Sequence, residues 1–234
     1  MKTYAFICTR DKICSPTLKK LLEYLASVDV SIKLLISQNS IFSGYEKVFN
    51  SIKPDDDDII ILCHDDIEIL TPKETFNTLL QVELNKKTGF IGVAGTTLLG
   101  IDAVWWNHNL WTKGYHRGQV FHLMDKSVEK TYYGEPGEVV VMDGLFLAAR
   151  ASTIKDVGLA KPDYFEGEWD FYDIHYTSKA YHLGYENKVI PLGVLHNSIG
   201  ELVGRTSWHK NREAFIKKVP LPLGLSKIGH GNYS

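Results

Sequence analysis

Three stretches of this chain carry side chains able to do chemistry. The first is ILCHDDIEIL, residues 61–70, where an apolar run ends in His64-Asp65-Asp66 before apolar alternation resumes. Adjacent carboxylates repel, and each raises the pKa of the other unless a cation intervenes. A divalent cation carrying a phosphate ligand removes that repulsion; a plain polar turn closing a strand is the other reading. If the pleat sends His64 and Asp66 the same way, Asp66 is the better ligand. Asp65 then points oppositely, toward a ribose or a neighbouring backbone group. His64 reads as a metal ligand, a hydrogen-bonding support or a rim residue.

The second stretch is FEGEWDFYDIH, residues 165–175, with acids at Glu166, Glu168, Asp170 and Asp173 and a histidine at His175. Acids at a helix start are favoured by the helix dipole, which accounts for them without function. A carboxylate there, aimed at a cleft, is also placed to act as a general base. The spacing puts Asp170, Asp173 and Thr177 on one side of a helix. The third is His196: structural if alone, a borderline metal ligand as neutral imidazole if close to the diacid. The run Asp55–Asp58 reads as a turn between elements.

The elements that must position these groups follow a rhythm. Thr3–Cys8 reads as a strand with Thr9-Arg10-Asp11 as its polar exit, and Ser15-Pro16 opens a helix with its apolar face on Leu18, Leu21, Leu22 and Leu25. Val30–Ile36 is a second strand with Ser37-Gln38 at its exit, Gly44–Ile52 a helix, and Ile59–Cys63 a third strand. Thr71-Pro72 starts a helix to about Leu84, and Phe90–Ala94 is a fourth strand. Such a series implies a mainly parallel sheet covered on both faces, with ligands beyond the carboxyl ends of its strands. Residues 95–118 read as a long aromatic loop carrying Trp105, Trp106, Trp111 and Tyr115, either core rings or a sugar or acceptor platform. Then come a hairpin (Gln119–Met124 with Lys130–Tyr133), strands at Glu138–Met142 and Leu145–Ala149, and a short helix from Ser152. The last elements are a helix Trp169–Leu183 closed by Gly184, a strand Asn187–Ile190, a helix Ser207–Lys218 and an irregular tail.

Bulk properties narrow the function classes. A length of 234 residues suits one α/β domain. The net charge of −2 gives no basic surface for nucleic acid, so no nucleic-acid partner is expected. Cys8, Cys14 and Cys63 form no CxxC pair and suit a reducing compartment. The N-terminus is too short in its apolar part for a signal peptide, and no run approaches the length that spans a membrane. The expectation is a cytoplasmic protein, or one held peripherally at the inner face of a membrane.

Taken together, the motifs over residues 2–200 resemble the GT-A fold glycosyltransferases. More narrowly, they are similar to the inverting, nucleotide-sugar-dependent family 2 enzymes of surface-polysaccharide synthesis. FICTR is similar to that family's first strand, and His64-Asp65-Asp66 falls on its DXD motif with His64 where the first acid usually stands. Met142–Leu147 with Arg150 matches the acceptor-side segment. Tyr172-Asp173-Ile174-His175 matches the Glu-Asp-x-Asp helix start, with Tyr172 and His175 in place of acids. The resemblance implies Asp173 as catalytic base and Asp66, His64 and His196 around Mn²⁺ or Mg²⁺. It also implies a nucleoside-diphosphate sugar, UDP-linked in the first instance, on Thr9, Arg10, Ser37, Gln38, Asp65, Trp105, Trp106 and Gly144. The resemblance implies a single domain with a nucleotide-binding half (1–95), an acceptor-side half (96–206) and a C-terminal helix and tail (207–234), and a saccharide or lipid-linked saccharide acceptor as partner.

Two other readings share the diacid at a strand end. A nucleotidyltransferase or phosphotransferase would want a glycine-rich phosphate loop after strand one, which Arg10-Asp11-Lys12 does not supply. A non-catalytic module binding nucleotide or saccharide would suit the missing acids at 64 and 172, but not the presence of Asp66 and Asp173.

Overall fold

A computed structural model describes residues 1–9, 14–124, 127–198 and 206–225. The strands and helices in chain order are β1 (Thr3–Thr9), α1 (Pro16–Ala26), β2 (Val30–Ile36), α2 (Ile41–Ile52), β3 (Ile59–Cys63), β4 (Ile67–Ile69), α3 (Lys73–Glu83), β5 (Thr88–Gly92), β6 (Ala94–Thr96) and β7 (Leu98–Leu99). They continue with α4 (His108–Thr112), β8 (His116–Met124), β9 (Ser127–Gly134), β10 (Gly137–Val139), β11 (Val141–Met142), β12 (Phe146–Arg150) and α5 (Ala151–Val157). The last are α6 (Tyr172–His182), β13 (Glu186–Val189), β14 (Val194–His196), α7 (Thr206–Lys218) and β15 (Leu223–Gly224).

A seven-stranded sheet in the order β10-β13-β5-β12-β3-β1-β2 forms the centre. The apolar runs of β1, β3 and β5 are buried on both faces, as a helix-covered parallel sheet requires. β12 lies antiparallel between β3 and β5, and β10 is antiparallel to β13, so the sheet is mainly rather than wholly parallel. Strand β12 follows a turn at 143–145 that reverses the chain in place, so no crossover helix intervenes. That is why the simple alternating series did not foretell it.

A smaller sheet, β11-β6-β8-β14-β4 with β9 on β8, adjoins the first. Four segments pass from the large sheet into the small one: β3 to β4, β5 to β6, β10 to β11 and β13 to β14. The expected strands Phe90–Ala94 and Glu138–Met142 are therefore each divided, at Val93 and at Val140. Part of the expected loop 95–118 is β6, β7, α4 and the start of β8. Pieces of two or three residues are too short for a periodicity to register.

Two helix starts differ from expectation. Helix α2 begins at Ile41, capped by Ser40 whose Oγ accepts from Ser43 N at 3.4 Å. Gly44 lies within it, where a Cβ would stand 3.3 Å from Gln38 Cγ and 3.6 Å from Cys8 Sγ, so its smallness serves helix–sheet approach. Helix α6 begins at Tyr172 because Phe171 adopts φ +71°, outside helical space. Asp170 is thus off the helix and does not share a helical face with Asp173 as the spacing suggested. Among the described residues, no helix is long and apolar enough to cross a membrane.

Candidate active site

His64-Asp65-Asp66 forms the turn by which the chain leaves β3 and enters β4, at the seam of the two sheets. The His64 amide donates to Leu145 O at 3.1 Å, extending the β3–β12 ladder, and this sets Gly144 beside the histidine. Strand β14 pairs antiparallel with β4, His196 opposite Ile67, and the Asn197 amide donates to Asp66 O at 2.8 Å. Two residues 130 positions apart are thus fixed by a three-residue ladder. His196 Nε2 lies 3.2 Å from Asp66 Oδ2, and His64 Nδ1 lies 3.7 Å from Asp66 Oδ1. One ligand atom from each of His64, Asp66 and His196 falls within 4.8 Å of the others.

This trio fits a divalent cation. Asp66 Oδ1 is buried without a hydrogen-bond partner, an orphan that coordination would satisfy. Two imidazoles and one carboxylate are a borderline donor set, suited to Mn²⁺ and its neighbours. Burial pushes the Asp66 carboxyl up, but the hydrogen bond from His196 and the charges of His64 and His196 outweigh it and hold the carboxyl below its ordinary value. Asp66 is a carboxylate at neutral pH.

The trio opens into a cleft of about 700 Å³, within the range of a small-molecule site. Asp65, Asp66, Asp143, Asp170 and Asp173 line it, and among its described lining residues there is no lysine or arginine. From the described lining residues a diphosphate would meet only negative charge and neutral dipoles unless a cation came with it. A second hollow, about 390 Å³ against residues 216–221, has neither carboxylate nor histidine in its lining.

Asp173 stands in the first turn of α6. Its Oδ2 accepts from Gly144 N at 3.0 Å and its Oδ1 from Ile174 N at 2.9 Å. Burial, and then the nearby Asp143 carboxylate, push its carboxyl up to about 7, with the amide bonds pulling the other way. A carboxylate so poised can take a proton near neutral pH. Phe171, in its uncommon backbone conformation, is pinned by the rings of Trp208 and Phe215 on α7. The Asn211 side chain of the same helix bonds Gly167 N and O and Asp170 O. Helix α7 therefore holds the loop that delivers Asp173.

The remaining expected residues divide. Asp65, Gly144, Trp105 and Trp106 line the cleft. Thr9, Ser37 and Gln38 do not; they meet at the neighbouring strand ends, where Ser37 N donates to Thr9 O at 2.9 Å and Gln38 Nε2 to Ile36 O at 2.9 Å. Cys8 represents β1 in the cleft wall. Arg10 lies outside the described residues. Tyr115 does not line the cleft, while Trp111 does. His175 packs among Tyr164, Phe165 and Tyr176, and burial pushes its imidazole down to about 4; it is a half-buried packing residue that does not line the cleft. Arg150 bonds Asp57 and Leu84 O at the far end of the sheet. The run Asp55–Asp58 is structural: Asp58 accepts from Lys2 N at 2.7 Å and Asp55 N at 3.1 Å, and Asp56 pairs with Lys155 at 2.7 Å.

Sequence reasoning missed His122, Tyr133, Asp143, Trp169 and Trp208 as cleft residues. His122 had a possible signal in the alternation of β8, but its partner β14, which brings His196 opposite it, was too short to foresee. Asp143 could have been found beside Gly144.

Residues 11–218 match a family model described as a glycosyltransferase-like family. The chain belongs to that family. No curated protein matches the sequence. The GT-A fold is shared with a crystal structure of a protein from STIV, at 15% identity, covering 85% of this chain and 86% of that one with a TM-score of 0.51. It is shared with GalNAc-T7, solved with UDP, GalNAc and Mn²⁺, at 11% identity, 86% of this chain and 44% of that one, TM-score 0.58. S. aureus TarS 1–349 matches at 11% identity over 84% of this chain and 60% of that one, TM-score 0.51. This glycosyltransferase-family chain thus spans about half the length of the last two. At these identities the likeness concerns the fold.

Proposed function

We propose that the chain is one catalytic unit, an inverting glycosyltransferase that moves a sugar from a nucleoside diphosphate, UDP in the first instance, to an acceptor hydroxyl. The observation that carries this reading is the pairing of two sites in one cleft: the His64–Asp66–His196 trio and the raised carboxyl of Asp173. GalNAc-T7, of the same fold, was solved with UDP and Mn²⁺, which supports the choice of nucleotide and ion.

Asp66, His64 and His196 would hold Mn²⁺ or Mg²⁺. The ion would supply positive charge against the departing diphosphate. Asp173 accepts the acceptor's hydroxyl proton on its carboxylate as the hydroxyl attacks the face of the sugar opposite the leaving group. The Gly144 amide orients that carboxylate. Trp105, Trp106, Trp111, Tyr133 and Trp208 give the cleft an aromatic wall that a sugar ring can stack against and that sheds water. Asp65 is the residue of the turn left to bond the ribose. The acceptor is a saccharide or lipid-linked saccharide of a surface polysaccharide or glycoconjugate, met in the cytoplasm or at a membrane face.

The test is calorimetric titration with a panel of nucleoside diphosphates, with and without Mn²⁺. Mn²⁺-dependent binding of UDP, lost in Asp66→Ala and kept in Asp173→Ala, is the expected result, and a screen of UDP-sugars for turnover follows from it. Failure of every diphosphate to bind under either condition would sink the donor site.

A further inference from the structure

The hydroxyl of Tyr172 sits between two partners. It lies 3.0 Å from Gly144 O and 3.0 Å from His64 Nε2. A carbonyl oxygen only accepts, and a phenol has one proton, so Tyr172 donates to Gly144 O. Toward His64 the phenol oxygen can then only accept. The Nε2 atom must carry the proton, and in the neutral ring Nδ1 must carry the lone pair. That lone pair is on the side of Asp66, 3.7 Å from an Oδ1 that has no hydrogen-bond partner. A neutral Nδ1 and a carboxylate oxygen facing each other with no proton between them repel. They become complementary when a cation lies between.

The surroundings hold the phenol ring in place. Tyr172 is 4% exposed, its ring edged by Phe42, Tyr45 and Tyr176. Residue 144 has no room for a side chain on that side: a Cβ would stand 2.8 Å from Tyr172 Cζ and 3.1 Å from Asp173 Cβ. Only glycine lets the hydroxyl reach the carbonyl.

We propose that Tyr172 is a positioning residue. It fixes His64 as the Nε2–H tautomer so that Nδ1 is presented as a metal ligand, and it ties that histidine to the carbonyl of Gly144, the residue whose amide orients Asp173. The proposal rests on the donor-site reading above for the identity of the ligand, and on geometry alone for the tautomer.

The test separates the two. Imidazole ¹⁵N spectra of metal-free protein at about pH 8, with His64 assigned by comparison with His64→Gln, report which nitrogen is protonated. The expected pattern is protonated Nε2 and unprotonated Nδ1, shifting toward a tautomer mixture in Tyr172→Phe. Calorimetry with Mn²⁺ alone should show affinity weakened by about 10-fold or more in Tyr172→Phe, the range for lost outer-shell bonds to ligating histidines. Protonated Nδ1 in the wild type overturns the proposal, as does Tyr172→Phe with unchanged nitrogen shifts. If Tyr172→Phe does not fold, by near-UV circular dichroism, the wild-type nitrogen pattern decides alone. If the wild type binds no Mn²⁺, the donor site fails, while the metal-free spectra still decide whether Tyr172 sets the tautomer.

Discussion

The amide of Gly144 donates to Oδ2 of Asp173 at 3.0 Å, while the carbonyl of the same glycine accepts from the Tyr172 hydroxyl at 3.0 Å. One residue of the turn between the two sheets therefore touches both the candidate base and the side chain that supports His64. Neighbouring residues on α6 reach it because Tyr172 and Asp173 both lie in the helix's first turn, facing the loop at 143–145. The two halves of the proposed chemistry meet at this one residue.

Replacing Asp173 by asparagine should separate binding from turnover. Loss of a general base typically costs 10²–10⁴ in rate, so transfer should fall at least about 100-fold while Mn²⁺-dependent UDP affinity stays within about twofold. The variant should also be the more stable protein at alkaline pH. The folded carboxyl is raised from 3.8 to about 7, so the folded state binds the extra proton between those values. Its stabilising contribution is complete below about pH 4 and is lost as pH rises through about 7. The gap corresponds to at most about 4 kcal/mol. Denaturant midpoints of the two proteins should diverge between pH 5 and pH 8; parallel curves would show that Asp173 is not raised.

The same carboxyl sets the acid limb of activity. The kcat/KM profile should rise with pH through about 7 as Asp173 loses its proton. Asp143→Asn removes the second cause of the shift and should move that limb to lower pH. Burial, the larger cause, remains, so the limb should stay above the ordinary carboxylate range. A limb unmoved by Asp143→Asn would show that the two acids do not interact.

How much of this was legible beforehand differs by element. The buried strand Ile59–Cys63 and the half-buried edge strand Val30–Ile36 match to the residue, and Ser15-Pro16 opens α1 as expected, because apolar β-rich runs and side-chain caps are local signals. The three-residue pieces β6 and β14 have no local signal, and β4 has only one apolar alternation, Ile67-Glu68-Ile69, since tertiary pairing makes them strands. The His64–Asp66–His196 trio was nameable from residue types, but its closeness depends on the β4–β14 ladder, which no spacing reveals. Tyr172 could be seen as a missing acid; that its phenol spans His64 and Gly144 needed coordinates. Ser37 and Gln38 were placed by the rule that ligands bind at strand exits, yet β2 is the edge strand of the large sheet and its exit falls outside the cleft wall.

Asp66→Ala should abolish the response to the ion while sparing the fold. At 100 times its Kd, Mn²⁺ should stabilise the wild type by about 2.7 kcal/mol through mass action. The variant should show no Mn²⁺-dependent rise in Tm, because two imidazoles without the carboxylate make an incomplete set. An equal rise in both proteins would place the ion elsewhere.

Trp111 gives the least disruptive probe of the aromatic wall. It is 36% exposed on the short helix α4, with Tyr133 5.5 Å away. Trp111→Ala should alter stability by less than about 1 kcal/mol, as for other surface sites. If the ring stacks on a bound sugar, KM for donor or acceptor should rise with kcat little changed, the sign of binding shared by ground and transition states. Unchanged KM for both would assign the ring to packing.

Gly144→Ala tests the shared residue itself. The added methyl would run into the Tyr172 phenol and stand 3.1 Å from Asp173 Cβ, and neither neighbour is on a flexible loop. Overpacking of this kind costs about 1–3 kcal/mol. The expected result is a loss of stability in that range together with two functional effects from one methyl: a weaker Mn²⁺ response, because His64 loses its support, and slower transfer, because the Asp173 carboxylate loses its amide. Thermal melts, calorimetry with Mn²⁺ and turnover with a matched donor measure the three separately. A variant that is destabilised yet keeps full Mn²⁺ affinity would show that the His64 side of the relay does not run through residue 144.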